Sequence, residues 1–295
     1  MPRTSTPPRR HRALRAAAVL AAAAALACYP AVRFLSGLQG PPRCSVGGSG
    51  GPTYELSPEQ AGNAATVAAV GTARGLPERA VAIALATALQ ESSLRNLGHG
   101  DRDSLGLFQQ RPSQGWGTPA RIMDPVYASG KFYEHLAEVP DYARLPLTVA
   151  AQQVQRSAFP RAYAKHETGA SLLAAALTGR SPASLTCSRA ATGTGAPGDA
   201  AEVRSDLARS FGTGVLPSAG PAGASASGTV SLPVRGEGDA ASRRGWELAH
   251  WAVARAGTLR IEEVSYAGRV WTAGTGWRTE HKESDTTTVR MRLAQ

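Results

Sequence analysis

The residue best placed to do chemistry is a carboxylate at the end of an apolar run. In the stretch ALATALQES, residues 84–92, Glu91 is the only acid. Val81, Ala82, Leu85, Ala88 and Leu89 behind it cover nearly every face of one helix, so that helix is buried on most sides. A Glu at its C-terminal end meets the negative end of the helix dipole and an apolar wall, and both disfavour the charged form. Such an acid could stay protonated near neutral pH, as protonating the leaving oxygen of a glycosidic bond requires; from position alone it reads more readily as an ordinary helix-end Glu facing solvent. Two more carboxylates, Asp101 and Asp103, follow in the loop NLGHGDRDS. Either could activate water as the second acid of a hydrolase; Asp is also routine in turns. His99, two residues before Asp101, lacks with these two aspartates the ligand scaffold of a metal loop and reads as a rim residue. Trp116, in PSQGWG, offers a ring that could stack on a sugar face or anchor the loop by packing.

The elements that must hold these residues are legible on either side. Ser57, Pro58 and Gln60 form a capping signature that opens a helix ending at Gly75. Pro77 opens the helix that carries Glu91. Helical periodicity returns at residues 124–139, 145–158 and 162–177. From about Ala190 to Gly228 the composition shifts to a Gly/Ala/Pro/Ser linker, with a short helical pattern at AAEVRSDLARSF. After it come a helix, GWELAHWAVARAGTL, and strands at 261–266, 269–272 and 287–293. The division is a leader at 1–43, a main domain at 44–189, a linker at 190–228 and a small α+β domain at 229–295.

Seven arginines (Arg3, Arg9, Arg10, Arg12, Arg15, Arg33 and Arg43) precede Cys44 and no acid precedes Glu55, so most of the net charge of +10 lies in the leader. No basic stripe interleaved with aromatics follows, which argues against a nucleic-acid partner. The leader joins this basic start to an Ala/Leu/Val run from Ala16 to Val32, the pattern of an export signal or signal anchor. The body is therefore expected outside the cytoplasm, anchored through this segment or secreted after its cleavage. One marginal apolar segment cannot form a transport pathway. Cys28 belongs to the leader, which leaves Cys44 and Cys187 as a pair. In an oxidising compartment they are expected as a disulfide tying together the two ends of the main domain, the alternative being two separate buried thiols. No Cys-x-x-Cys or His-x-x-x-His pattern suggests a metal, and no cofactor is expected.

Glu91-Ser92, then Ser104, then Gly106-Leu107-Phe108-Gln109 resembles the motif order of the lysozyme-like superfamily, soluble lytic transglycosylase type. The resemblance runs over about residues 57–177. It implies a mainly α (α+β) lysozyme-like domain beside the small C-terminal α+β domain, with Glu91 as sole general acid/base. It further implies that Ser92, Ser104, Phe108 and Gln109 line the cleft. The family's Ala-x-Tyr-Asn-Ala-Gly motif is not matched: the chain reads VAAQQVQRSAFPRAY, where Gln152, Gln153 and the Tyr163 hydroxyl are the available substitutes. The C-terminal unit resembles a zinc D-Ala-D-Ala peptidase-like domain of actinobacterial wall proteins, but DTTTVRMRL lacks the His-x-His that would bind metal. His250 and His281 alone make a poor site; alternatively the unit is a plain α+β domain with Trp246, Trp251 and Trp271 in its core. The implied partner is the peptidoglycan glycan strand. The implied function is its cleavage; the alternative is a non-catalytic wall-binding or scaffold protein of a cell-envelope or conjugation assembly.

Overall fold

A computed structural model describes residues 41–47, 50–156, 162–188, 197–217, 228–280 and 285–295. The leader up to residue 40 and His281 lie outside these. Among the described residues the chain is mixed α+β, with eight α-helices and two antiparallel sheets. No helix among them is long and apolar enough to cross a membrane.

Helix α1 (Pro58–Ala73) opens with the expected capping box: the Gln60 N–H donates to Ser57 Oγ at 3.2 Å, and the Ser57 N–H to Gln60 Oε1 at 2.7 Å. Its buried residues are nearly all Ala, Gly and Val, which lets α2 (Glu78–Ser92) pack close beside it. Helix α2 ends abruptly, with Ser93 and Leu94 both left-handed at φ 54° and 57°. Non-glycine residues hold that conformation only when their surroundings impose it. Helix α1 supplies the constraint: Gln60 Nε2 donates to the Ser93 carbonyl and Asn63 Nδ2 to that of Leu94, each at 2.8 Å. Gln60, which completes the capping box of one helix, thus also fixes the exit of the helix that carries Glu91.

Helices α3 (Pro119–Ile122), α4 (Pro125–Ala137), α5 (Leu147–Gln155) and α6 (Glu167–Leu177) complete the helical body. The Tyr133 hydroxyl on α4 donates to the Val67 carbonyl at 2.9 Å, over Gly71, where a Cβ would come within 2.7 Å of that oxygen. Strands β1 (Cys44–Gly47), β2 (Thr53–Leu56) and β3 (Leu185–Cys187) form a sheet in the order β2-β1-β3. Cys44 faces Cys187 across the β1–β3 register and is bonded to it, so the disulfide joins the two ends of this body.

The Ala200–Phe211 stretch forms a full helix, α7, capped by Asp199. Strand β4 (Thr229–Pro233), helix α8 (Gly238–Leu259) and strands β5 (Ile261–Tyr266), β6 (Arg269–Thr272), β7 (Gly276–Thr279) and β8 (Thr288–Leu293) follow, the second sheet running β4-β8-β5-β6-β7. Helix α8 packs on this sheet and also on α1 and α6. Trp246, Trp251 and Trp271 are all buried there. Several polar contacts reach across to the helical body. His250 Nδ1 lies 2.7 Å from the Ala176 carbonyl, Trp277 Nε1 donates to the Leu185 carbonyl at 2.8 Å, and Trp271 Nε1 donates to Thr186 Oγ1 at 3.1 Å. Residues 42–295 accordingly form one compact unit with a shared core.

Candidate active site

Helix α2 delivers Glu91 to the edge of the core, half-buried, two residues after buried Leu89. Ser92 does not face solvent: its hydroxyl is buried and donates to the Leu107 carbonyl at 2.7 Å, stitching the helix end to the segment Gly106–Gln109. That segment is a tight turn. Leu105 and Gln110 pair across it, N–H to carbonyl in both directions at 2.9 and 3.0 Å. Gly106 is required at its start, with φ +75° and a would-be Cβ only 2.7 Å from the Ile122 carbonyl. The Phe108 ring turns into the core and stacks on Phe132, centroids 4.7 Å apart. What Phe108 offers the site is therefore its carbonyl and not its ring. Gln109, left-handed and half-buried, donates through Nε2 to the Gly106 carbonyl at 3.2 Å. Ser104 is buried beneath the loop.

Tyr163, 72 residues on in sequence, is brought directly to Glu91. Its fully buried hydroxyl donates to Glu91 Oε1 at 2.7 Å. The side-chain amide of Gln155, the last residue of α5, donates to the Phe108 carbonyl at 2.8 Å, and its nearness favours the charged form of Glu91. Burial pushes the Glu91 carboxyl above the ordinary glutamate range, while the Tyr163 hydrogen bond and the nearby Gln155 amide pull in the opposite direction without cancelling it. Next to it, Gln90 Oε1 lies 3.2 Å from His166 Nε2, and burial, with Lys165 adding to it, holds the His166 imidazole below its usual value.

The loop aspartates take different roles. Asp103 uses both oxygens within the loop: Arg111 Nε donates to Oδ1 and the Ser113 N–H to Oδ2, each at 2.8 Å. Those bonds hold its carboxyl far below the normal aspartate range, as suits a permanently charged turn staple. Asp101 is exposed and accepts the Ser104 N–H through its backbone carbonyl. Trp116 is half-buried, its ring 4.3 Å from that of His135. Together with Gln114, Gln153, Gln155 and Arg156 it lines a cleft of about 510 Å³. Gln155 thus joins the cleft wall to the turn that carries Phe108.

Sequence reasoning pointed to Gln152 and Gln153 and passed over Gln155. The signal was present in QQVQ: Gln155 lies three residues after Gln152, on the same side of a helix. In the C-terminal region His250 is fully buried, and its Nε2 has no hydrogen-bond partner. Among the described residues no three His, Cys, Asp or Glu converge as metal ligands. No protein-family model matches the chain, and no curated protein matches it in sequence.

Proposed function

We propose that this chain is a lysozyme-like, glycan-cleaving enzyme of the bacterial cell wall, a lytic transglycosylase in which Glu91 is the general acid and base. The observation that carries this reading is the setting of Glu91: a carboxyl at the end of a buried helix, raised by burial and held by the buried Tyr163 hydroxyl at 2.7 Å. Burial favours the protonated form that must exist before the glycosidic oxygen is protonated. The hydrogen bond from Tyr163 and the nearness of the Gln155 amide favour the carboxylate that exists just afterwards. An acid poised between two such influences can give a proton and then take one back.

The single carboxylate supports transfer over hydrolysis. Asp103 is committed to Arg111 and Ser113, which argues against it as the base that activates water. In the reaction proposed, Glu91 protonates the leaving oxygen and the substrate's own N-acetyl group stabilises the cationic carbon. Glu91 then accepts the proton of the sugar's C6 hydroxyl as that oxygen closes on the same carbon. The product is a 1,6-anhydro sugar and no water is consumed. The Cys44–Cys187 disulfide supports an extracytoplasmic setting, whether the protein is anchored or released. Mass spectrometry of peptidoglycan digested by the full chain tests the chemistry. Anhydro-terminated fragments are expected, whereas reducing-end fragments would make the enzyme a hydrolase and return Asp101 to consideration.

A further inference from the structure

The cleft beside Trp116 does not include Glu91, and its lining differs from what a neutral sugar needs. One side of the Trp116 ring is taken by the His135 imidazole, centroids 4.3 Å apart, and the ring packs on the core, which leaves less of it to stack on a sugar face. The polar wall carries charges of both signs. Arg156, just after α5, is exposed, and among the described residues its guanidinium has no salt-bridge partner. Glu138, just after α4, has a side chain 76% exposed and so open to a ligand, its one ionic neighbour being His135 Nδ1 at 3.5 Å. Arg156 and Glu138 thus line one cleft without pairing with each other. The exposed side-chain amides of Gln114 and Gln153 share the wall, and each can both donate and accept. Opposite charges left open in one cleft suit a ligand that carries both signs, and free amides suit one that carries peptide groups. A chain of N-acetylhexosamines has acetamido groups and no charge.

We propose that the Trp116 cleft binds the peptide that branches from the wall glycan, Arg156 taking a peptide carboxylate and Glu138 the ammonium of the peptide's diamino acid. Its place in the fold suits a branch of the substrate. Gln155 lines the cleft and donates to the Phe108 carbonyl at 2.8 Å, and the turn that carries Phe108 is bonded to the end of α2 through Ser92 Oγ and the Leu107 carbonyl at 2.7 Å. The cleft therefore adjoins the element that bears Glu91 without containing that residue: it is a neighbour of the proposed cleavage point and not the point itself. The inference rests on the Glu91 reading for the origin of the peptide, a glycan cut close by; recognition of the peptide does not involve Glu91. Exposed ion pairs are individually weak, so the cleft confers a preference for strands that still carry their peptides.

Calorimetric titration of the full chain with an N-acetylated stem tetrapeptide (alanine, γ-linked D-glutamate, lysine and D-alanine) tests the site. Acetylation leaves the lysine ammonium as the peptide's one positive charge. Binding is expected, weakened about fivefold by Arg156→Gln and by Glu138→Gln, the upper end for exposed ion pairs, and unchanged by Glu91→Gln. A fully amidated peptide, which has no carboxylate, should bind the wild type about as weakly as the acidic peptide binds Arg156→Gln, and should lose nothing further in that variant. A wild-type chain that does not bind the tetrapeptide would overturn the proposal, and that result needs no variant to be folded. Equal binding by the wild type and both cleft variants would overturn it as well. So would displacement of the peptide by an N-acetylglucosamine tetramer, which would make the cleft a sugar site. The Glu91 reading fails separately: a wild type that binds the peptide and cleaves no peptidoglycan would retire Glu91 as the acid and still support the peptide site.

Discussion

At the scale of single residues, the site depends on a balance around one carboxylate. The Tyr163 hydroxyl is a donor to the charged form of Glu91, and a hydrogen bond to a charged group is stronger than a neutral one. Tyr163→Phe removes that donor and leaves the burial, so the Glu91 carboxyl should rise further. In the proposed reaction the protonated form acts first, so the alkaline limb of the kcat/KM profile should move up by about one pH unit. An unmoved limb would show that the limb does not belong to Glu91, or that the bond is not made in solution. Glu91 stood out in the sequence less by its position, which an ordinary helix-end Glu would share, than by the Ser92, Ser104 and Gly106–Gln109 pattern that follows it. The roles of Ser92 and Phe108 were less legible. Residue type alone cannot say whether a hydroxyl or a ring points to the cleft or to the core, and here Ser92 Oγ closes on Leu107 and the Phe108 ring on Phe132.

At the scale of elements, positioning comes from pairs that are distant in sequence. Gln60, the partner of Ser57 in the capping box of α1, holds the turn that ends α2, and the first sheet closes the body through Cys44 and Cys187. The pairing of those cysteines could be anticipated from compartment and arithmetic, but the sheet around them could not. Its strands span three or four residues each, too short for alternation to register against the background. The longer β8 did show it, while in β5 a bulge between Ile261 and Glu263 interrupts the alternation. Linking residues so far apart restricts the unfolded chain strongly. The Cys44→Ser/Cys187→Ser double variant should therefore lose about 3 kcal/mol of unfolding free energy in a denaturant titration under oxidising conditions. No loss would mean that β1 and β3 are held fully by their neighbours.

At the scale of the whole molecule, the C-terminal sheet is part of the frame that holds the helical body. Helix α8 packs against α1 and α6, and Trp271 and Trp277 both donate to the strand that bears Cys187. Composition marks the Gly- and Ala-rich stretches as linkers, yet it cannot report what the segments beyond them pack against, since that is decided by surfaces remote in sequence. His250 lies in this shared core, and complete burial depresses its imidazole to about 4 from 6.5. The unfolded chain then binds a proton that the folded chain refuses. Stability from this group is complete above about pH 6.5 and falls as the pH drops toward 4. Urea midpoints across that range should show the decline, and the His250→Gln variant should flatten it; an equally steep decline in the variant would assign it to other groups.

The central claim is that Glu91 is the group that cleaves the glycan. The direct measurement is the rate of solubilisation of purified peptidoglycan by the wild-type chain and by Glu91→Gln, alongside a sedimentation assay of binding to the same material. The account expects the variant to bind as the wild type does and to be slower by at least about a hundredfold, the contribution of a positioned acid. A variant that cleaves at the wild-type rate, or a wild type that binds and cleaves nothing, would contradict it.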